Sequence, residues 1–133
     1  ASCKGNPGPG GWGVVLETDE DSTQNSGAVT QTTNNRMELQ AAIEGLLLLP
    51  PGSSVLVFTT SDYLYQGITK WIINWRRRNW VKKGDQPVAN ADLWQALDRL
   101  TVEYSIRWVN AKGQDLPAMD VAGKLAVSAV ETA

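Results

Sequence analysis

The chain has no histidine, which excludes every mechanism that needs an imidazole as acid, base or metal ligand. Its one cysteine, Cys3, rules out an internal disulfide and suits a reducing compartment such as the cytoplasm. Long apolar runs are also missing. Stretches such as 46–49 and 55–58 fall far short of a membrane span, and no basic-apolar-cleavage pattern opens the sequence. Net charge is only −2, which by itself argues against a strong non-specific binder of polyanions. What remains is ordinary: 133 residues, 42% hydrophobic and 20% charged, enough for one globular domain with a buried core.

The low net charge conceals a segregation. Lys70, Arg76, Arg77, Arg78, Lys82 and Lys83 place six of the twelve basic residues in one short stretch, while Glu17, Asp19, Glu20 and Asp21 cluster elsewhere. A charge run is often only a solvated face, so its neighbours decide its meaning.

Residues 12–17 (WGVVLE) and 27–32 (GAVTQT) read as strands joined by a polar hairpin loop over 18–25. A helical pattern starts at Asn34, with Leu39, Ile43 and Leu46 at i, i+4 and i+7, and Pro50-Pro51 ends it. Residues 54–59 (SVLVFT) form a nearly all-apolar strand of the kind buried on both faces. A second helix is expected from Ser61 or Asp62 to Ile73 or beyond, and a third from Asn90 or Ala91 through Leu100. A strand over 104–109 and a last helix from Pro117 to about Val130 complete the chain. This order implies a mixed α/β sheet flanked by helices, in a single domain spanning 1–133.

Three segments carry the functional signal. Gly5-Asn6-Pro7-Gly8-Pro9-Gly10-Gly11 is a Gly/Pro turn before a strand, and lacks the Gly-Lys-Ser/Thr of a phosphate-cradling P-loop. Thr33-Asn34-Asn35-Arg36-Met37-Glu38 opens a helix, where an Asn pair can reach a sugar 2′-OH or base edge and backbone N–H groups favour phosphate. Helix capping by Thr33 or Asn34 is the simpler alternative. The third segment, from Lys70 to Lys83, interleaves cations with Trp71, Trp75 and Trp80. Trp71 and Trp75, at i and i+4, are expected to buttress the helix; Trp80 is the better candidate for contact with nucleic acid.

Together GNPGPGGWG, TTNNRMEL, YQGITKWIINWRRRNW and PVANADLWQALD resemble the type 1 ribonuclease H family over nearly the whole chain. The resemblance implies a ribonuclease H-like fold and cleavage of the RNA strand of RNA/DNA hybrids by two Mg²⁺ ions held on four carboxylates. It assigns Arg76, Arg77, Arg78, Trp80, Lys82 and Lys83 to the basic protrusion that meets the DNA strand. It also places Asn6, Thr33, Asn34 and Asn35 against the minor groove and RNA sugars, with Cys3 near the DNA strand.

The acidic slots depart from the family pattern. Glu38 matches the family glutamate and is the one metal ligand plainly kept. Where the family reads Thr-Asp-Ser this chain has Thr59-Thr60-Ser61, so Thr60 stands in the aspartate's place, and in the last helix Gly123 fills another aspartate slot. The family's histidine loop has become Val109-Asn110-Ala111-Lys112-Gly113-Gln114-Asp115. The family's first strand and its aspartate would precede Ala1, so that strand is expected to be absent from this chain. Asp120 is a weak substitute ligand, as are Asp62 and Asp115, because a shift of one helical turn is about 5 Å. An N-cap Asp62 and a first-turn Asp120 favoured by the helix dipole explain these acids more simply.

The expectation is a hybrid- or duplex-binding protein with hydrolysis lost or severely impaired, needing Mg²⁺ or Mn²⁺ only if active. Two alternatives stand beside it: an active endoribonuclease with an atypical metal site, and a protein-interaction module on the same scaffold.

Overall fold

The computed structural model describes residues 1–17, 22–114 and 116–132. They form two compact units, residues 1–50 with 113–133, and residues 51–112.

The first unit is built on an antiparallel sheet in the order β1-β2-β3, from β1 (Ser2–Cys3), β2 (Gly8–Glu17) and β3 (Ser22–Thr32). Both long strands exceed the sequence expectation. The Gly/Pro turn ends at Pro7, because Gly8 to Gly11 pair with β3 and, at Gly10 and Gly11, with β1. Ser22 to Asn25, expected in the hairpin loop, pair with Val14 to Glu17. Residues 18–21 of that loop lie outside the described residues. Weak strand propensity at these polar and glycine positions is overridden by continuous ladder pairing.

Glycine in β2 has a packing reason. A Cβ on Gly11 would strike the Ala126 carbonyl and one on Gly13 the Ala122 carbonyl, so the bare backbone lets α5 (Pro117–Thr132) lie close against the strand. Trp12 stands opposite Gly27 and its indole covers the space a Cβ would need. On the other face of the sheet packs α1 (Asn34–Leu47), whose Met37, Leu39, Ile43 and Leu46 are buried at helical spacing, while Ala126 and Val130 of α5 are buried on the Gly11 side. The helix begins as its sequence demands: the Thr33 Oγ1 accepts from the Arg36 N–H at 3.2 Å. It ends at Leu47, three residues before the proline pair.

The second unit pairs β4 (Ser54–Thr59) in parallel with β7 (Ser105–Asn110). Between them run α2 (Asp62–Gln66), a wider π turn (Gly67–Trp71), α3 (Ile72–Arg77), the small ribbon β5 (Val81–Lys82) and β6 (Gln86–Pro87), and α4 (Ala91–Thr101). Ser61, not Asp62, caps α2: its Oγ accepts from the Leu64 N–H at 3.1 Å. The expectation that β4 is buried on both faces is corrected. Among the described residues β4 has β7 as its one strand neighbour, and Leu56 and Phe58 stay 56% and 43% exposed.

This unit's core centres on Trp94, Leu97, Leu64, Ile68 and Ile72. Gly67 opens the π turn where a Cβ would penetrate the Trp94 ring. Helix propensity alone would favour Gly67→Ala by about 1 kcal/mol. Overpacking against a fully buried indole costs roughly 1–3 kcal/mol and should win. We expect Gly67→Ala to lower the urea midpoint of unfolding; a midpoint unchanged or raised would refute the wedge.

Candidate nucleic-acid interface

In the first unit, the Gly/Pro turn is tied to the start of α1. The Lys4 N–H donates to the Pro9 carbonyl at 2.7 Å, and the Asn34 N–H donates to the Asn6 Oδ1 at 3.4 Å. The Cys3 thiol is free and half-buried, and donates to the Gly5 carbonyl oxygen at 2.8 Å. Asn6, Asn34 and Asn35 are exposed beside this junction, and Thr33 is half-buried as the cap. The structure therefore brings Cys3, Asn6, Thr33 and Asn34 together at a helix N-terminus, where the positive end of the helix dipole favours anionic oxygen.

Glu38 lies just past the first turn of α1, half-buried, with the Ala1 amino group 3.4 Å from its Oε1. Asp120 is exposed in the first turn of α5, where it complements the helix dipole. Around Gly123 a Cβ would meet nothing within 4 Å.

In the second unit, α3 and the β5–β6 ribbon form a cationic projection. Asn79 and Trp80 both have positive φ, 53° and 64°. The Trp80 N–H donates to the Trp75 carbonyl at 2.8 Å and the Asn79 N–H to the Arg76 carbonyl at 3.3 Å, a Schellman closure of the helix. Asparagine tolerates this conformation; for tryptophan it is strained. The contact of the Trp80 ring with Trp75, centroids 6.3 Å apart, is the apolar pairing that accompanies such a closure.

The cations divide into two groups. The Arg76 Nε donates to Asp98 Oδ1 and Oδ2 at 3.0 and 3.1 Å, and its Nη2 also engages Asp98. That hydrogen bonding raises the Arg76 pKa, so the guanidinium ties α3 to α4 as a permanent charge pair. Arg77, Arg78, Lys82 and Lys83 are exposed and have no ion-pair partner among the described residues.

The aromatics form one connected cluster, Tyr63–Trp71–Trp75–Trp80 with Trp94 against Tyr63 and Trp75. Buttressing by Trp71 and Trp75 fits these contacts, though Trp71 also keeps 41% of its surface exposed. The Tyr63 hydroxyl accepts from Asn90 Nδ2 at 3.0 Å and from Trp94 Nε1 at 2.9 Å. Asn90, expected at the start of the third helix, is the α4 N-cap; Tyr63 and Asn74 carry no functional signal in the sequence. Only the left-handed Asn90 at the α4 N-cap, and the amide of Asn74 one turn before Arg78, mark them, and both signals are geometric.

The RNase H family profile matches residues 1–131. The chain belongs to the RNase H family. It is 47% identical over 133 residues to Ribonuclease H of Rickettsia felis, covering 99% of this chain and 88% of that protein. The Marinobacter nauticus Ribonuclease H is 47% identical over 126 residues, covering 94% and 86%. The fold is RNase H-like. RNase H1 of the archaeon Halobacterium salinarum superposes with a TM-score of 0.70 at 20% identity, covering 99% of this chain and 93% of that one. LC11-RNase H1, solved in complex with an RNA/DNA hybrid, gives 0.68 at 22% identity, covering 98% and 92%.

RNase H enzymes imply divalent ions, and the donor set here does not fit a pair of them. Among the described residues no three of His, Cys, Asp and Glu group as metal ligands. Thr60 offers a neutral hydroxyl on an exposed residue, and Gly123 offers no donor. The Asp62 Oδ1 is already approached by the Gln66 and Asn110 amides, each at 3.4 Å. Asp115 lies outside the described residues. Two divalent charges held close together need several converging carboxylates, and the described residues bring no such group together. No helix among the described residues is long and apolar enough to cross a membrane.

Proposed function

We propose that this chain binds RNA/DNA hybrid, with hydrolysis of the RNA strand severely impaired. The observation that carries the reading is the contrast within it. Arg77, Arg78, Lys82 and Lys83 stand exposed and without acidic partners among the described residues, on the end of α3 and the ribbon that follows it. Two internal family carboxylate positions are Thr60 and Gly123, a hydroxyl and a bare backbone. Binding through phosphates needs the first feature and is indifferent to the second. Catalysis by paired metals needs carboxylates where Thr60 and Gly123 stand.

Asn6, Thr33, Asn34 and Asn35 would meet the minor groove and RNA sugars, while Cys3, Arg77, Arg78, Trp80, Lys82 and Lys83 meet the DNA strand. Arg76 acts through Asp98 to hold the projection in place. Loss of acidic charge near the scissile position also lowers repulsion of the phosphates, which favours retention of the duplex. The unbroken profile match supports reading both compact units as parts of one domain.

Fluorescence anisotropy on a labelled hybrid, followed by gel analysis after incubation with Mg²⁺ or Mn²⁺, checks both halves. Expected are saturable binding with a steep inverse salt dependence and no accumulation of cut RNA. Metal-dependent cleavage abolished by Glu38→Ala would establish an active enzyme with an atypical site instead. Absence of binding at low salt would point to a protein-interaction module.

A further inference from the structure

The cationic projection carries a cavity of about 250 Å³ lined by Asn74, Trp75, Arg78, Val81 and Lys82. It exists because of the strained closure described above. Left-handed Asn79 and Trp80 reverse the chain, so that β5 returns past the last turn of α3, with the Val81 N–H bonded to the Arg78 carbonyl at 3.2 Å. Val81 and Lys82 thereby come to share one concavity with Asn74, Trp75 and Arg78.

The chemistry of this lining is selective. Trp75 and Val81 supply an apolar, partly aromatic surface, and both are half-buried. Arg78 and Lys82 supply two positive charges that have no ion-pair partner among the described residues. Asn74 adds one amide able both to donate and to accept. A phosphate alone would use the cations and leave the aromatic wall idle. A purely apolar ligand would leave two cations unanswered. An anion joined to a flat heteroaromatic ring uses all of it: a nucleotide, with its base against Trp75, its edge on Asn74 and its phosphate between Arg78 and Lys82.

The volume sits below the range of drug-sized pockets, roughly 300–1,000 Å³, which suits one base and not a base pair. Bases within a duplex are stacked and cannot enter such a cavity without being extruded. We infer that this pocket binds an unpaired nucleotide, so that the chain prefers duplexes bearing a single-stranded extension over blunt ones. The inference rests on the hybrid-binding reading and deepens it by naming what the projection takes besides paired strands.

Two measurements test it. In the first, the 133-residue chain is titrated against a blunt labelled hybrid and the same hybrid carrying three unpaired nucleotides on either strand. One stacked base should raise affinity for at least one extended form by about tenfold. In Asn74→Ala/Val81→Glu the ratio of extended to blunt affinity should fall to near one. Equal affinity of the unaltered chain for blunt and extended duplexes overturns the pocket assignment alone. No binding to the blunt duplex overturns the hybrid reading itself. In the second, adenosine monophosphate is titrated into the unaltered chain while the Asn74 side-chain amide and the Trp75 indole N–H are followed by NMR. Saturable shifts at both that inorganic phosphate does not reproduce support the pocket. Shifts equal to those given by phosphate, or none, overturn it without dependence on any variant's folding.

Discussion

Replacing Arg77, Arg78 and Lys82 together by glutamate should reduce affinity for a labelled hybrid by at least about a hundredfold at low salt. The log–log salt slope should become shallower by roughly three, since each phosphate contact contributes about 0.9. All three residues are exposed, so their replacement removes no core contact. Circular dichroism and the unfolding midpoint should stay within the small range typical of surface substitutions. The comparison that isolates the effect is Arg99→Glu, an exposed cation on α4 outside the Lys70–Lys83 run, which should leave the slope almost unchanged. Arg76 should behave differently from its neighbours. Arg76→Gln strands Asp98 and loosens the tie between α3 and α4, so its cost should show first in stability. If the triple variant binds as tightly as the unaltered chain with the same slope, the projection is not the nucleic-acid contact.

Restoring two carboxylates should produce the second large change. Thr60→Asp/Gly123→Asp should raise Mn²⁺-dependent cleavage of the hybrid's RNA strand by on the order of a hundredfold, about 2.7 kcal/mol of transition-state stabilisation. The substitutions are sterically open: Thr60 is exposed, and a Cβ at Gly123 meets nothing within 4 Å. Aspartate is also a better helix former than glycine, so α5 should not lose stability. Adding Glu38→Gln to the double variant should return cleavage to the starting level, because the restored acids act only together with the retained one. A double variant no faster than the unaltered chain, in a protein that still binds hybrid, would show that the two slots are not where the missing charge belongs. An unaltered chain that already cleaves at the restored rate would sink the impairment reading.

Much of this protein can be read from local rules. Thr33 and Ser61 cap helices because a hydroxyl before an apolar-periodic run satisfies free N–H groups, and both do so here. Leu39, Ile43 and Leu46 are buried because their spacing leaves one face for the core. Family membership is visible in contiguous motifs and needs no coordinates at all.

Other features depend on partners distant in sequence. The strand character of Gly8 to Gly11 comes from ladder pairing, and the glycines there matter only because α5 presses against them. The π turn arises where Gly67 meets a ring that lies 27 positions onward in the chain, at Trp94. That β4 leaves Leu56 and Phe58 partly exposed follows from how many strands flank it, which composition cannot reveal. The sequence by itself determined the family and the helix starts, because each depends on residue type at short spacing. Only the tertiary structure decided that Arg76 is a tie to Asp98 while Arg78 and Lys82 border a cavity. Identical cations in one run acquire different roles once a left-handed turn sets which of them faces a carboxylate.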